Sequence, residues 1–306
     1  MNKVISKILL SIVFCLGTIH CSKISFNAID QGSTDGSTPV VEPPVPPQPA
    51  RPKLDLLIVM DNSSSMLDTH AIIESKLIGF TEQLEARNID YRIAVTTTDA
   101  RTDVAKEFAQ TNGTNLTKTP RGFGGKILSF NKSNFISNDT VDGESLVLSS
   151  LDRSLEASCG TLDTGESDYW KDDVAEPEVC STDWEEPTKV IKQFLKQKNT
   201  VNAGFLRSNV PLVALIITDE DIDDSTGKGI NLNMAEELSS IRALRSNFKA
   251  YGIIAQEQDV SRCQANWSGE TSQKVGEFIT LSGGVHHSIC DSDDYTSIFD
   301  EIAASL

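Results

Sequence analysis

The chain has 306 residues, of which 39% are apolar and 23% charged. That composition supports one sizeable core or two small ones and excludes a disordered chain. The formal charge is −17, and because the first 21 residues hold Lys3 and Lys7 but no acid, the remainder carries −19; such a surface repels phosphate backbones and excludes nucleic acid as an expected partner, favouring cations or basic groups.

The amino terminus reads as an export signal. MNKVISK supplies the positive start, 8–19 is an apolar run, and Cys21 follows directly. The run falls short of the roughly 20 residues of a membrane-spanning helix. The arrangement resembles a bacterial lipoprotein signal, which implies that Cys21 becomes the lipidated first residue of the mature chain. Ser22 in place of Asp is compatible with sorting to the outer membrane, at its cell-surface or periplasmic face. His20 departs from the pattern, in which Gly, Ala or Ser precedes the Cys, and an uncleaved signal anchor is the alternative. Residues 22–52 then turn proline-dense, with VVEPPVPPQPARP at their end. Such sequence prefers extended polyproline geometry and reads as a linker that holds a folded part away from a membrane.

From Lys53 onward the pattern alternates. Apolar runs at 54–61, 91–98, 212–219 and 249–255 suit strands buried on both faces. Apolar residues at helical spacing predict helices over 66–87, 185–197, 233–245 and 293–306. The alternation implies right-handed crossovers and an α/β fold, doubly wound around a mainly parallel sheet, with helices on both faces. The segment 126–130, KILSF, is the expected short antiparallel edge strand, and 285–290 the last strand. The stretch 99–181 is longer than a compact domain needs and is expected as an insertion.

The first strand runs LDLLIVM into DNSSSM, placing Asp61, Ser63 and Ser65 at alternate positions just past its end. Carboxylate and hydroxyl oxygens suit a hard divalent cation, Mg²⁺ ahead of Mn²⁺ or Ca²⁺. The strand LVALIIT likewise runs into Asp219, with Glu220 and Asp221 behind it. If the two strands are neighbours at the switch point of the sheet, their carboxyl ends share one crevice and bring Asp61 to Asp219. Two carboxylates held close favour a cation between them. Taken alone, 219–224 reads as a solvated acidic loop.

LDLLIVMDNSSSM resembles the first strand and metal-ion-dependent adhesion motif of von Willebrand factor type A domains. The phrase NAGFLRSNVPLVALIITDED, with WEEPTKVIKQFL before it, is similar to an extracytoplasmic bacterial subgroup of that family. The resemblance covers about 54–306. It implies that Ser63 and Ser65 bind the ion directly, that Asp61 acts through water, and that Asp219 and a Thr from a later loop complete the set. Thr182 occupies that last place, with Ser181 as a substitute and helix capping as the other reading.

Six cysteines occur, of which Cys15 lies inside the export signal. Cys159, Cys180, Cys263 and Cys290 are left for disulfides in an exported chain, with three pairings open. Cys159 with Cys180 and Cys263 with Cys290 are preferred because each pair brackets one loop region; such a bridge contributes about 3 kcal/mol by chain entropy. A zinc site from His286, His287 and Cys290 is the alternative, although it lacks paired C-x-x-C spacing.

No G-x-S-x-G elbow and no phosphate-binding G-x-x-x-x-G-K-[ST] loop is present. A phosphotransferase of the haloacid dehalogenase type needs a second acid two residues after the first, where this chain has Ser63. The expectation is therefore a non-enzymatic, exported and membrane-anchored protein that captures a protein ligand through an Asp or Glu at the ion. The alternative is a structural part of an envelope assembly in which the ion only stabilises the fold.

Overall fold

The computed structural model describes residues 50–102, 122–130, 133–151, 185–222, 232–257, 259, 271–290 and 295–306. These lie within one compact unit, Pro49–Leu306. In chain order the elements are β1 (Lys53–Met60), α1 (Leu67–Leu77), α2 (Phe80–Ala86), β2 (Asp90–Thr97), β3 (Ile136–Ser137), α3 (Gly143–Leu151), α4 (Pro187–Lys196), β4 (Leu212–Thr218), α5 (Met234–Leu244), β5 (Phe248–Ile254), α6 (Gln273–Ser282), β6 (His286–Ser288) and α7 (Thr296–Ala304). Among the described residues no helix is long and apolar enough to cross a membrane.

The sheet runs β3-β2-β1-β4-β5-β6. All neighbours are parallel except β2 and β3. The order reverses between β1 and β4, so the fold is doubly wound with its switch point there. Alternate residues of each strand serve opposite faces, as the pleat requires. Leu56, Ile58 and Met60 pack with Ile73, Phe80, Leu84, Val147, Ile298 and Phe299 from α1, α2, α3 and α7. Leu57 and Val59 pack with Val190, Phe194, Leu238, Phe278 and Ile279 from α4, α5 and α6. Each such side chain, fully buried, contributes about 1.5–3 kcal/mol. Because both faces are covered, β4 is buried at every position, which is why its sequence is continuously apolar rather than alternating.

Four expectations change. The helix predicted over 66–87 is two helices, broken at Gly79, whose φ of 87° only glycine adopts without strain. Glu144 of α3 fixes that break by accepting hydrogen bonds from Gly79 N (2.8 Å), Thr81 N (2.9 Å) and Thr81 Oγ1 (2.7 Å). The antiparallel edge strand is Ile136–Ser137, paired with Ile93 and Arg92, and not 126–130. The segment 122–128 does follow the β2 edge, through Thr97 N to Gly122 O and Leu128 N to Val95 O. Its glycines at positive φ, Gly122, Gly124 and Gly125, hold it in turns, so no ladder forms. Helices α3 and α6 were not expected. Ile136, Val147 and Leu151 are buried in the core, so part of the stretch read as an insertion is built into the domain. Finally, the last strand is shorter than 285–290, covering only His286–Ser288.

Candidate metal centre

The carboxyl ends of β1 and β4 lie side by side because the two strands pair along Asp55 to Met60. Asp61 N extends that ladder by donating to Ile217 O at 2.8 Å. The chain then turns sharply. Ser63 N donates to Asp61 Oδ1 at 2.7 Å, closing an Asx-type turn, and residues Ser64–Met66 form a 3₁₀ turn leading into α1. This turn brings the hydroxyls of Ser63 and Ser65 within 2.7 Å of each other. Ser65 Oγ in turn donates to Asp219 Oδ1 at 3.0 Å. Thr218 Oγ1, the last side chain of β4, donates to Asp61 Oδ2 at 2.5 Å. The structure thus gathers Asp61, Ser63, Ser65 and Asp219 into one cluster. Asp61 is 0%, Ser63 2% and Asp219 4% exposed, so Asp219 is no solvated loop acid.

Burial raises the Asp219 pKa, the nearby Asp61 charge adds to it and Glu220 adds further, while the hydrogen bond from Ser65 acts the other way; together they push it up to about 8. A carboxylate held out of water beside a second acid resists ionising unless positive charge compensates it. The donor set fits a hard divalent cation: two carboxylates and two hydroxyls, all oxygen, at the crevice where strand order reverses. Among the described residues there is no group of three or more His, Cys, Asp or Glu side chains placed to hold a metal. The zinc alternative is accordingly not assembled there. His286 Nδ1 meets Gln256 Nε2 at 3.0 Å, and His287 Nε2 meets Glu301 Oε2 at 3.3 Å. Cys290 is disulfide-bonded.

Thr182, Ser181, Cys21, Cys159, Cys180 and Cys263 all lie outside the described residues. Glu186, just before α4, borders the same rim. Glu186 N donates to Thr98 O at 3.1 Å, and Thr98 N donates to Met60 O at 3.0 Å. Several supporting residues escaped the sequence reading. Thr218 orients Asp61. Thr98 Oγ1 reaches Asn62 Oδ1 at 3.4 Å, and buried His70 places Nε2 3.2 Å from Asp61 O. The usable signal is at Thr218, a hydroxyl residue directly before a strand-end acid; His70, a candidate general base by residue type, is tied to the site by no spacing.

A scan against protein-family models finds no match, and no curated protein matches the chain. Among solved structures, the pilus adhesin SpaC from Lactobacillus rhamnosus GG aligns at 10% identity and a TM-score of 0.41, over 84% of this chain and 31% of that one. Proximal thread matrix protein 1 from the mussel byssus, whose structure has a zinc-occupied MIDAS motif, aligns at 12% identity and a TM-score of 0.40, over 83% and 45%. This chain spans less than half the length of either protein. At TM-scores this low the alignments add nothing to what strand order and site geometry establish.

Proposed function

We propose that this chain is a cell-envelope lipoprotein with a von Willebrand factor type A-like domain, which captures a protein ligand through a divalent cation held at Asp61, Ser63, Ser65 and Asp219. Mg²⁺ is the proposed ion ahead of Mn²⁺ and Ca²⁺, because an all-oxygen set with hydroxyl donors suits a hard cation. Thr182 is the proposed further ligand, carried over from the family resemblance. The single observation that carries the proposal is the hydrogen bond from Ser65 to Asp219, 3.0 Å long and spanning 154 positions of sequence. It supports a shared site for two motifs that are far apart in the chain.

A divalent cation bound there supplies a positively charged position that an Asp or Glu of a protein ligand fills with a charge-assisted bond. The residues divide the remaining work. Ser63 and Ser65 present neutral oxygens, so they contribute ligands without cancelling positive charge. Asp61 has both oxygens engaged, by Ser63 N and Thr218 Oγ1, an arrangement suited to action through water rather than direct contact. Asp219, buried and accepting a hydrogen bond from Ser65, releases its proton when positive charge is bound. No nucleophile paired with a base is proposed, and the role is non-enzymatic. Export and outer-membrane anchoring through Cys21, spaced by the proline-rich 22–52, complete the proposal, as do disulfides between Cys159 and Cys180 and between Cys263 and Cys290.

The test is capture of a carboxylate-bearing protein ligand with and without chelator, by the native chain and by Ser63→Ala combined with Ser65→Ala. Capture is expected to need the ion and to be lost in the double variant; equal capture in all conditions removes the proposal. A second reading, a structural envelope component whose ion only stabilises the fold, is favoured by the depth of Asp61 and Asp219. Under it, chelation lowers the melting temperature while capture persists.

A further inference from the structure

We infer that Asp221 is a positioning residue for the cation site, clamping the loop after β4 onto the first turn of α6; the inference rests on the cation reading of Asp219. Asp221 lies two residues beyond Asp219, yet its carboxylate is spent elsewhere. Its Oδ1 accepts from Lys274 N at 2.9 Å and from Val275 N at 3.3 Å, and its Oδ2 accepts from Lys274 N at 3.2 Å. Those N–H groups are among the four that a helix start leaves without an internal partner. They are ordinarily satisfied by the N-cap side chain just before the helix. Here that residue, Ser272, makes no such bond; its hydroxyl lies 3.5 Å from Thr218 O instead. The cap of α6 is supplied from the site loop, and the N-cap residue faces the strand that carries the site. A carboxylate also meets the positive end of the helix dipole there.

The anchor is packed against the sheet. Val275, Phe278 and Ile279 are fully buried against the sheet. Helix and strand approach so closely that a Cβ added to Gly252 of β5 would lie 2.4 Å from Ile279 Cδ1. The strand end is tied to the same corner: Ala255 N donates to Thr218 O at 3.2 Å, and Ser272 N donates to Ala255 O at 3.0 Å. Between Thr218 and Asp221 lie Asp219 and Glu220, and Glu220 N donates to Thr218 Oγ1 at 3.2 Å, so the short loop is held at both of its ends. The clamp therefore sets where the Asp219 carboxylate stands relative to Ser65.

The experiment is Mn²⁺ titration of the full chain, by calorimetry and by the electron paramagnetic resonance of the bound ion. Its variants are Asp221→Ala, Asp221→Asn, Lys274→Pro and Lys274→Ala. Asp221→Ala is expected to weaken Mn²⁺ binding about tenfold or more, with a broadened bound-ion spectrum. Asp221→Asn keeps an acceptor oxygen and loses only charge, so it is expected to restore most of the affinity. Lys274→Pro deletes the donor at a position where a helix's first turn tolerates proline, and is expected to weaken binding more than Lys274→Ala, which keeps the backbone donor and loses only the ammonium's attraction for Asp221. Equal losses in Asp221→Ala and Asp221→Asn would make the effect one of charge and overturn the inference. Unchanged binding in Asp221→Ala and Lys274→Pro, with binding abolished in Ser63→Ala plus Ser65→Ala, overturns the clamp and leaves the cation reading standing. Failure of the native chain to bind Mn²⁺ defeats both.

Discussion

Asp55 and Asp61 stand at opposite ends of β1, and both are fully buried, yet the two ends of the strand meet their acids by different means. At the amino end, Arg207 grips Asp55 twice, through its backbone N to Oδ2 and through Nε to Oδ1, each at 2.7 Å. The same guanidinium reaches Asp90 Oδ1 at 2.6 Å and Leu54 O at 2.7 Å, and Arg245 stands 3.7 Å from Asp55 Oδ2. At the carboxyl end, Asp61 accepts from Ser63 N and the Thr218 hydroxyl, and Asp219 accepts from the Ser65 hydroxyl, among their contacts. These bring dipoles but no charge. The first arrangement is complete within the chain and serves the fold. The second is the acid pair to which the proposed cation is assigned, so the two ends of one strand carry a structural ion pair and the proposed site.

The comparison breaks most sharply at Arg207. Arg207→Ala leaves Asp55 buried beside a vacated guanidinium site, and is expected to destabilise the protein by about 3–5 kcal/mol, measured by urea unfolding. Cation affinity in the fraction that remains folded should stay near the native value, because the site is at the far end of β1.

The next effect is one of pH. Folding raises the Asp219 pKa from 3.8 to about 8, so the folded protein holds a proton between those values that the unfolded chain has released. The contribution of Asp219 to the stability of the cation-free protein is therefore expected to be fully present below about pH 4 and to be lost as pH climbs towards 8, with Asp55 and Asp221, also raised by burial, acting in the same direction. Melting temperatures in chelator should trace that decline, Mg²⁺ should reduce it, and Asp219→Asn should make it shallower with or without the ion. A cation-free melting curve that rises across this window would remove the electrostatic contrast between the two ends.

The smallest effect sharpens the division. Thr218→Val keeps the shape of the last β4 side chain but removes the hydroxyl that meets Asp61 Oδ2. It is expected to cost about 1–2 kcal/mol in cation-free stability and to weaken ion binding as well, read by the same unfolding and titration measurements. An effect on stability alone would make Thr218 a packing residue.

How much of this was legible depends on the physical range of each interaction. The strands β1, β2, β4 and β5 were readable to within about a residue because double burial writes itself as an unbroken apolar run. Asp61, Ser63 and Ser65 were readable because they sit where such a run stops. Helix α6 was not: QKVGEFITLS holds a glycine and β-branched residues, and its cap lies in another part of the chain. The break at Gly79 was hidden because apolar periodicity continues across it; it is held by Glu144, remote in sequence. The edge strand was misplaced because the apolar pattern of 126–130 does not reveal the left-handed glycine turns that precede it.

By itself the amino-acid sequence determined the α/β alternation and the two acids at strand ends, since both follow from local patterning. Only the tertiary structure decided that Ser65 and Asp219 touch, that Thr218 holds Asp61, and that Asp55 is matched by Arg207. The reason is that a hydrogen bond or an ion pair acts over about 3 Å, and nothing in linear order reports which distant residues the winding of the sheet brings within that reach.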